Sequence, residues 1–105
     1  IVGSGGYRIQ AAVLNPLLAI VDHGMTAQAA VEHPRIHGEG ASIDIDSRVA
    51  PATRAALQAM GHAMRILDPS DLGGGLGRCS MLWRADGDEW ETAAEPWSGG
   101  AAGHD

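Results

Sequence analysis

Apolar positions near the start of the chain keep a helical rhythm. Ile9, Val13, Leu17 and Ile20 are spaced by four or three residues, the stripe of an amphipathic helix, and Leu14, Leu18 and Val21 widen it. The pattern predicts a helix over residues 8–22, buried on more than one side. Pro16 falls inside it and is expected to kink it or break its hydrogen-bond ladder locally. Gly24 is expected to close it in a left-handed conformation. Thr26 can cap a short second helix to residue 32, and Pro34 forces extended chain after it.

The rhythm then shortens to two. Ile43 and Ile45 alternate with Asp44 and Asp46, which predicts a short strand with one wet face. Pro51 at a first helical position, followed by Ala55, Leu57 and Met60 and then Gly61, predicts a third helix with both ends signalled. Residues 63–67 read as a strand stopped by Asp68-Pro69. Leu72 to Gly77 is a glycine-rich loop. Residues 79–84 and 89–93 flank Asp86-Gly87, a strong hairpin signal. From Glu95 onward Pro, Ser, Gly and Ala dominate, so residues 1–95 are expected to form the domain and 96–105 a flexible tail. The sum is α+β, helices packed on a sheet.

Composition narrows the class. With 105 residues and 45% hydrophobic positions, the chain has enough apolar side chains for one small core and too many for disorder. A net charge of −6 argues against nucleic acid, since nothing here could neutralise a run of phosphates. All seven basic residues are Arg, with no Lys and no Phe, a skew that points to a GC-rich bacterial genome, in cytoplasm or periplasm. No apolar stretch approaches the ~20 residues of a membrane span, and no signal peptide is visible. Ile1 opens straight into Val2 and a glycine turn, which reads as a cut end.

Most chemistry-bearing residues have plain structural readings. His33 and His37 are four residues apart with Glu39 nearby, but Pro34 between them disfavours a shared helical face, so no metal site and no cofactor are expected. Cys79 is the single cysteine, which excludes an internal disulfide, and with no nearby Lys and no motif partner it reads as a buried thiol. Asp86, Asp88, Glu89 and Glu91 read as solvated hairpin charges. Trp83, Trp90 and Trp97 read as core, with Trp97 covering the sheet. Thr26, Thr53 and Thr92 are internal, and none can use its own free amine as a base.

The turn Ser4-Gly5-Gly6 ahead of the first helix is different. Glycines let backbone N–H groups face a ligand without a Cβ in the way, and a helix N-terminus adds partial positive charge. Such a turn can hold an anion or a developing oxyanion, or it can be merely a tight turn.

The blocks that follow resemble the small subunit of the γ-glutamyltranspeptidase family. They are Gly3-Ser4-Gly5-Gly6, Arg8-Ile9, Asp22-His23-Gly24-Met25 and Ala30-Val31-Glu32-His33-Pro34-Arg35-Ile36-His37, in the family's order and with similar spacing. Arg65-Ile66-Leu67, the glycine-rich loop and the Asp86-Gly87 hairpin extend the resemblance over nearly the whole chain. It implies the C-terminal portion of an N-terminal-nucleophile hydrolase αββα sandwich, with helices on an incomplete antiparallel sheet. It further implies self-cleavage of a precursor and attack of a new N-terminal Thr on a γ-glutamyl amide, with transfer to water or an amino acid. Gly5 and Gly6 inherit the oxyanion role, and Ser4 and Tyr7 beside them are the expected substrate contacts.

The nucleophilic Thr and the residues that grip the glutamyl group lie upstream in the family. The implied partner is therefore the upstream part of the same precursor, and the chain alone is expected to be inactive and to self-associate. The usual Pro between Ser and the glycine pair is absent, and Tyr7 replaces a small polar residue, which fits the family's broader relatives better than its standard transpeptidases. A stand-alone α+β binding module with no catalysis of its own is the competing class.

Overall fold

The computed structural model describes residues 1–71, 75–85, 87, 89–99, 101 and 103. The chain runs β1 (Val2–Ser4), a 3-10 turn (Gly6–Arg8), α1 (Ile9–Val21), α2 (Ala27–Glu32), β2 (Ile36–Glu39), β3 (Ser42–Asp46), α3 (Pro51–Ala59), β4 (Ala63–Leu67), β5 (Arg78–Arg84), β6 (Trp90–Ala94) and a closing 3-10 turn (Pro96–Ser98). The expected helices and the later strands are present, each within a residue or two of its anticipated bounds. Leu72, Gly73, Gly74, Asp86 and Asp88, which belong to the anticipated glycine loop and hairpin turn, lie outside the described residues.

Among the described residues, two three-stranded sheets form. The first, ordered β1-β5-β6, is antiparallel throughout. The second, ordered β2-β3-β4, joins an antiparallel pair to a parallel one. Parallel strands need a long crossover, and α3 supplies it between β3 and β4.

The core lies between α1, α2 and the first sheet. Ala19, Ile20, Ala27, Ala30 and Val31 from the helices meet Cys79, Met81 and Ala93 from the strands, with Met25 and Trp83 at the margin. Strand alternation does this on β5, where Cys79 and Met81 face the helices while Ser80 and Leu82 face away. Glu91 on β6 accepts from the Ala27 N–H at 2.6 Å, and the Thr26 hydroxyl accepts from Ala29 at 3.3 Å. Both bonds satisfy donors that the first turn of α2 would otherwise leave free.

The buried face of α1 is shifted from the expected one: Ile20 is buried and Val13 and Leu17 half-buried as anticipated, but Ile9 is exposed. Ala12, Pro16, Ala19 and Ile20 point inward, whereas Leu14, Leu18 and Val21 are exposed. Small inward residues let the helix backbone approach the sheet closely, and the larger side chains are left on the opposite side. Pro16 is accommodated within a continuous helix. Its neighbour Asn15 bonds Ala11 O at 2.8 Å and both accepts from and donates to the Ile36 backbone, fastening α1 to β2. Gly24 closes the helix as expected, with φ 64° and its N–H on Ile20 O at 2.9 Å.

Three further expectations are corrected. Strand β3 has no wet face: Asp44 and Asp46 are both buried, because arginines from elsewhere cover and pair with them. Trp97, expected in a flexible tail, packs beside the domain whose expected last residue is Glu95. Glu95 is buried against Arg35, and the Arg48 guanidinium sits 4.3 Å from the Trp97 ring centre. Trp90 is not core; it is exposed beneath Arg84.

Candidate active site

The glycine turn is built by close backbone contact. Strand β1 pairs with β5 so that Gly3 faces Cys79 and Ser4 faces Arg78. The chain then turns at Gly5 (φ 130°) and Gly6 (φ 62°), both in the left-handed half of backbone space. A Cβ on Gly5 would stand 2.8 Å from Gly77 Cα, so only two glycines can cross here. Gly77 is equally constrained. At φ 72°, its Cβ would meet Ala12 Cβ at 2.9 Å, Arg8 O at 3.1 Å and Ser4 O at 3.2 Å.

Gly6 is the exception. Nothing lies within 4 Å of where its Cβ would be, so the space in front of it is open. Gly6 begins the 3-10 turn that runs directly into α1, and the leading N–H groups of a helix have no partner within it. The open space at Gly6 therefore lies at the N-terminal end of α1, where partial positive charge collects. Ser4, Gly5, Gly6 and Tyr7, the four residues picked from the sequence, are all exposed there, Tyr7 at 82%.

A groove beside the turn is lined by Gly6, Tyr7, Ile9 and Gln10 on one side and His37, Gly38 and Glu39 on the other. His37 Nε2 lies 3.2 Å from Glu39 Oε2. The place of His37 in this groove was not visible in its spacing from His33, which lies elsewhere and bonds Pro34 O. Only its membership of the Pro34 to His37 block hinted at it. Among the described residues, no three His, Cys, Asp or Glu side chains cluster as metal ligands, and no helix is long and apolar enough to cross a membrane.

Two ionic anchors hold the turn. Arg8, the residue after Tyr7, donates from Nε and Nη2 to Asp44 Oδ2, each at 3.2 Å. Arg65 grips the same carboxylate as a fork, Nε to Oδ1 at 2.8 Å and Nη2 to Oδ2 at 2.7 Å. The Arg65 bonds, helped by Arg8 and opposed by burial, hold the Asp44 carboxyl below its ordinary range and raise Arg65 in turn. On the second side, Arg35 Nη1 donates to Gly77 O at 3.0 Å, and its Nη2 reaches Val31 O at 3.0 Å and Glu95 Oε2 at 2.7 Å. Cys79 lies just beyond, buried, and burial pushes its thiol up, away from the reactive thiolate.

Known proteins share both sequence and shape with this chain. The sequence profile of the gamma-glutamyltranspeptidase family matches residues 1–104. The acylase ACY 1 proenzyme of Pseudomonas sp. strain SE83 is 30% identical over 93 residues, which are 79% of this chain and 16% of that proenzyme. The chain thus spans a small part of its curated relative. The gamma-glutamyltranspeptidase from Pseudomonas nitroreducens complexed with L-DON superposes with a TM-score of 0.77 at 25% identity, over 98% of this chain and 52% of that one. The cephalosporin acylase from Bacillus halodurans shares the fold, with a TM-score of 0.79 at 21% identity, over 91% of this chain and 18% of that one. With a profile match over nearly its full length and the α+β fold of these N-terminal-nucleophile hydrolases, the chain belongs to the γ-glutamyltranspeptidase family.

Proposed function

We propose that this chain supplies the oxyanion-binding part of an enzyme that cleaves γ-glutamyl or related amide bonds and passes the acyl group to water or an amine. The observation that carries this reading is the Gly5-Gly6 turn, open to solvent at Gly6 and heading α1. When a nucleophile adds to an amide carbonyl, the oxygen gains a full negative charge. Fixed N–H donors and a helix N-terminus aimed at that oxygen stabilise the charge more than they stabilise the neutral substrate. Arg8 does not compete for the oxyanion, because its guanidinium is turned to Asp44. Ser4 and Tyr7 flank the donors and contact the substrate.

The nucleophile is a threonine that lies outside these 105 residues, with its own α-amine as base. Thr26, Thr53 and Thr92 are internal, and Thr26 is engaged in capping α2. The partner is therefore the remainder of the same precursor, a reading that fits the proenzyme relative and the 52% coverage of the Pseudomonas nitroreducens chain. The acyl group is γ-glutamyl or a close analogue. The acylase relative and the exchange of a small polar residue for Tyr7 favour the analogue.

The test uses γ-glutamyl-4-nitroanilide and glutaryl-4-nitroanilide, which differ only in the α-amine. The full-length protein is expected to release nitroaniline from at least one of them, and the 105-residue chain from neither. Turnover by the chain alone, or none by the correctly cleaved full-length protein, contradicts the reading.

A further inference from the structure

We propose that Arg35, locked by Glu95, is a positioning residue for the Gly5-Gly6 turn, acting through the carbonyl of Gly77. The inference rests on the oxyanion reading above and adds to it the residues that hold the donors in place.

The contacts form a chain. Gly5 lies directly on Gly77, with no room for a single added carbon between them. Gly77 is itself wedged among Ser4 O, Arg8 O and Ala12, so it is the floor on which the turn rests. Its position depends on what holds its own peptide, and its carbonyl accepts from Arg35 Nη1 at 3.0 Å. Arg35 is only 4% exposed and its guanidinium is fixed by Val31 O and Glu95 as well. Glu95 is 7% exposed and its backbone N–H bonds Cys79 O, so the carboxylate that fixes Arg35 is attached to strand β5, two residues past Gly77.

A buried pair of this kind is poor evidence for stability, because desolvating both charges offsets most of their attraction. Here it has a geometric consequence. Arg35 and Glu95 come from segments sixty residues apart and converge on the one peptide that backs the glycine turn. Transition-state stabilisation by backbone donors depends steeply on their placement, and a misplacement of ~1 Å can cost on the order of 10²-fold in rate. Loss of the Arg35 bond frees the Gly77 peptide to rotate and the Gly5 N–H with it.

The test is kinetic and uses the full-length protein with whichever anilide it turns over. The uncharged double variant Arg35→Met with Glu95→Leu removes the bond to Gly77 O without stranding a buried charge, although the carbonyls of Gly77 and Val31 lose a donor, so it should fold with a lowered Tm. A kcat lower by about 10- to 100-fold with KM within about threefold supports the proposal. Wild-type kcat in the folded double variant overturns it. Arg35→Lys, which keeps the charge beside Glu95 but loses the fork that reaches Gly77 O, carries the same test if the double variant does not fold: a lowered kcat supports positioning and an unchanged one overturns it. Gly6→Val in parallel separates the two levels. If Gly6→Val is slow and the double variant is not, the positioning role fails and the oxyanion reading stands. If folded Gly6→Val turns over normally, the oxyanion reading itself falls.

Discussion

Arg8 and Asp44 are 36 residues apart in the chain, yet the guanidinium that follows the glycine turn donates twice to one buried carboxylate oxygen. Asp44 thereby joins the first sheet's turn to the second sheet's central strand. Arg65 completes the site from the neighbouring strand. Asp44→Asn keeps the shape and removes the charge that both arginines need. Because Arg65 is largely exposed and Arg8 partly so, the loss should be moderate, about 1–2 kcal/mol in chemical denaturation. An unchanged denaturation midpoint would refute the anchoring role.

The same carboxylate sets an acid limb. Asp44 is held below its ordinary value of 3.8, mainly by Arg65. A group with a depressed folded pKa adds stability above its unfolded pKa and loses it as pH falls through the folded one. The contribution is therefore complete at neutral pH and fades below about pH 4. Denaturation midpoints from pH 7 down to pH 2 should fall less steeply for Asp44→Asn than for wild type in that lowest range. Parallel acid limbs would contradict this.

Neighbouring glycines should respond differently to the same substitution. Gly5→Ala sets a Cβ 2.8 Å from Gly77 Cα, at φ 130°, and the backbone must move. Its expected cost is about 2–4 kcal/mol. Gly6→Ala meets open space and pays only for the left-handed conformation, about 1 kcal/mol. Equal losses of Tm for the two variants would mean that the Gly5–Gly77 contact does not constrain the turn.

Features that depend on near neighbours were legible before the fold was known. The Thr26 cap, the Gly24 closure, Pro51 opening α3 and the Ser4-Gly5-Gly6 turn each follow from residues within one helical turn. What escaped depends mostly on partners far along the chain. Asp44 alternates with isoleucines as a wet strand face would, and nothing local reveals that Arg8 and Arg65 will cover it. Asp46 is covered from nearby, by Arg48 two residues on, once the chain turns back after β3. Gly77 looked like one glycine in a flexible loop, and its role as the floor under Gly5 exists only once β1 and β5 pair. The burial of α1 misled because larger side chains outweigh Ala12 and Ala19 in any apolar pattern, while close helix–sheet contact selects the small ones.

The exposed row Leu14, Leu18 and Val21 on α1, together with Val2 on the terminal strand of the first sheet, is apolar surface that water disfavours. The 105-residue chain in isolation should therefore associate in a concentration-dependent way. Leu14→Glu with Leu18→Glu should weaken that association while changing the fold's own stability by roughly 0.5 kcal/mol or less. Sedimentation of the unmodified chain as a strict monomer across a wide concentration range would refute the expectation.

The central claim is that backbone N–H groups of the Gly5-Gly6 turn stabilise the oxyanion, and kcat of Gly6→Val in the full-length protein tests it most directly. A valine fills the open space at Gly6 and distorts a turn that sits at φ 62°, so the donor geometry is lost where the substrate carbonyl would lie. Loss of one such donor typically lowers kcat by ~10² to 10³, and a fall of at least that size is predicted, with circular dichroism and Tm verifying that the variant is folded. A folded Gly6→Val protein that releases nitroaniline at a near-normal rate would contradict the account.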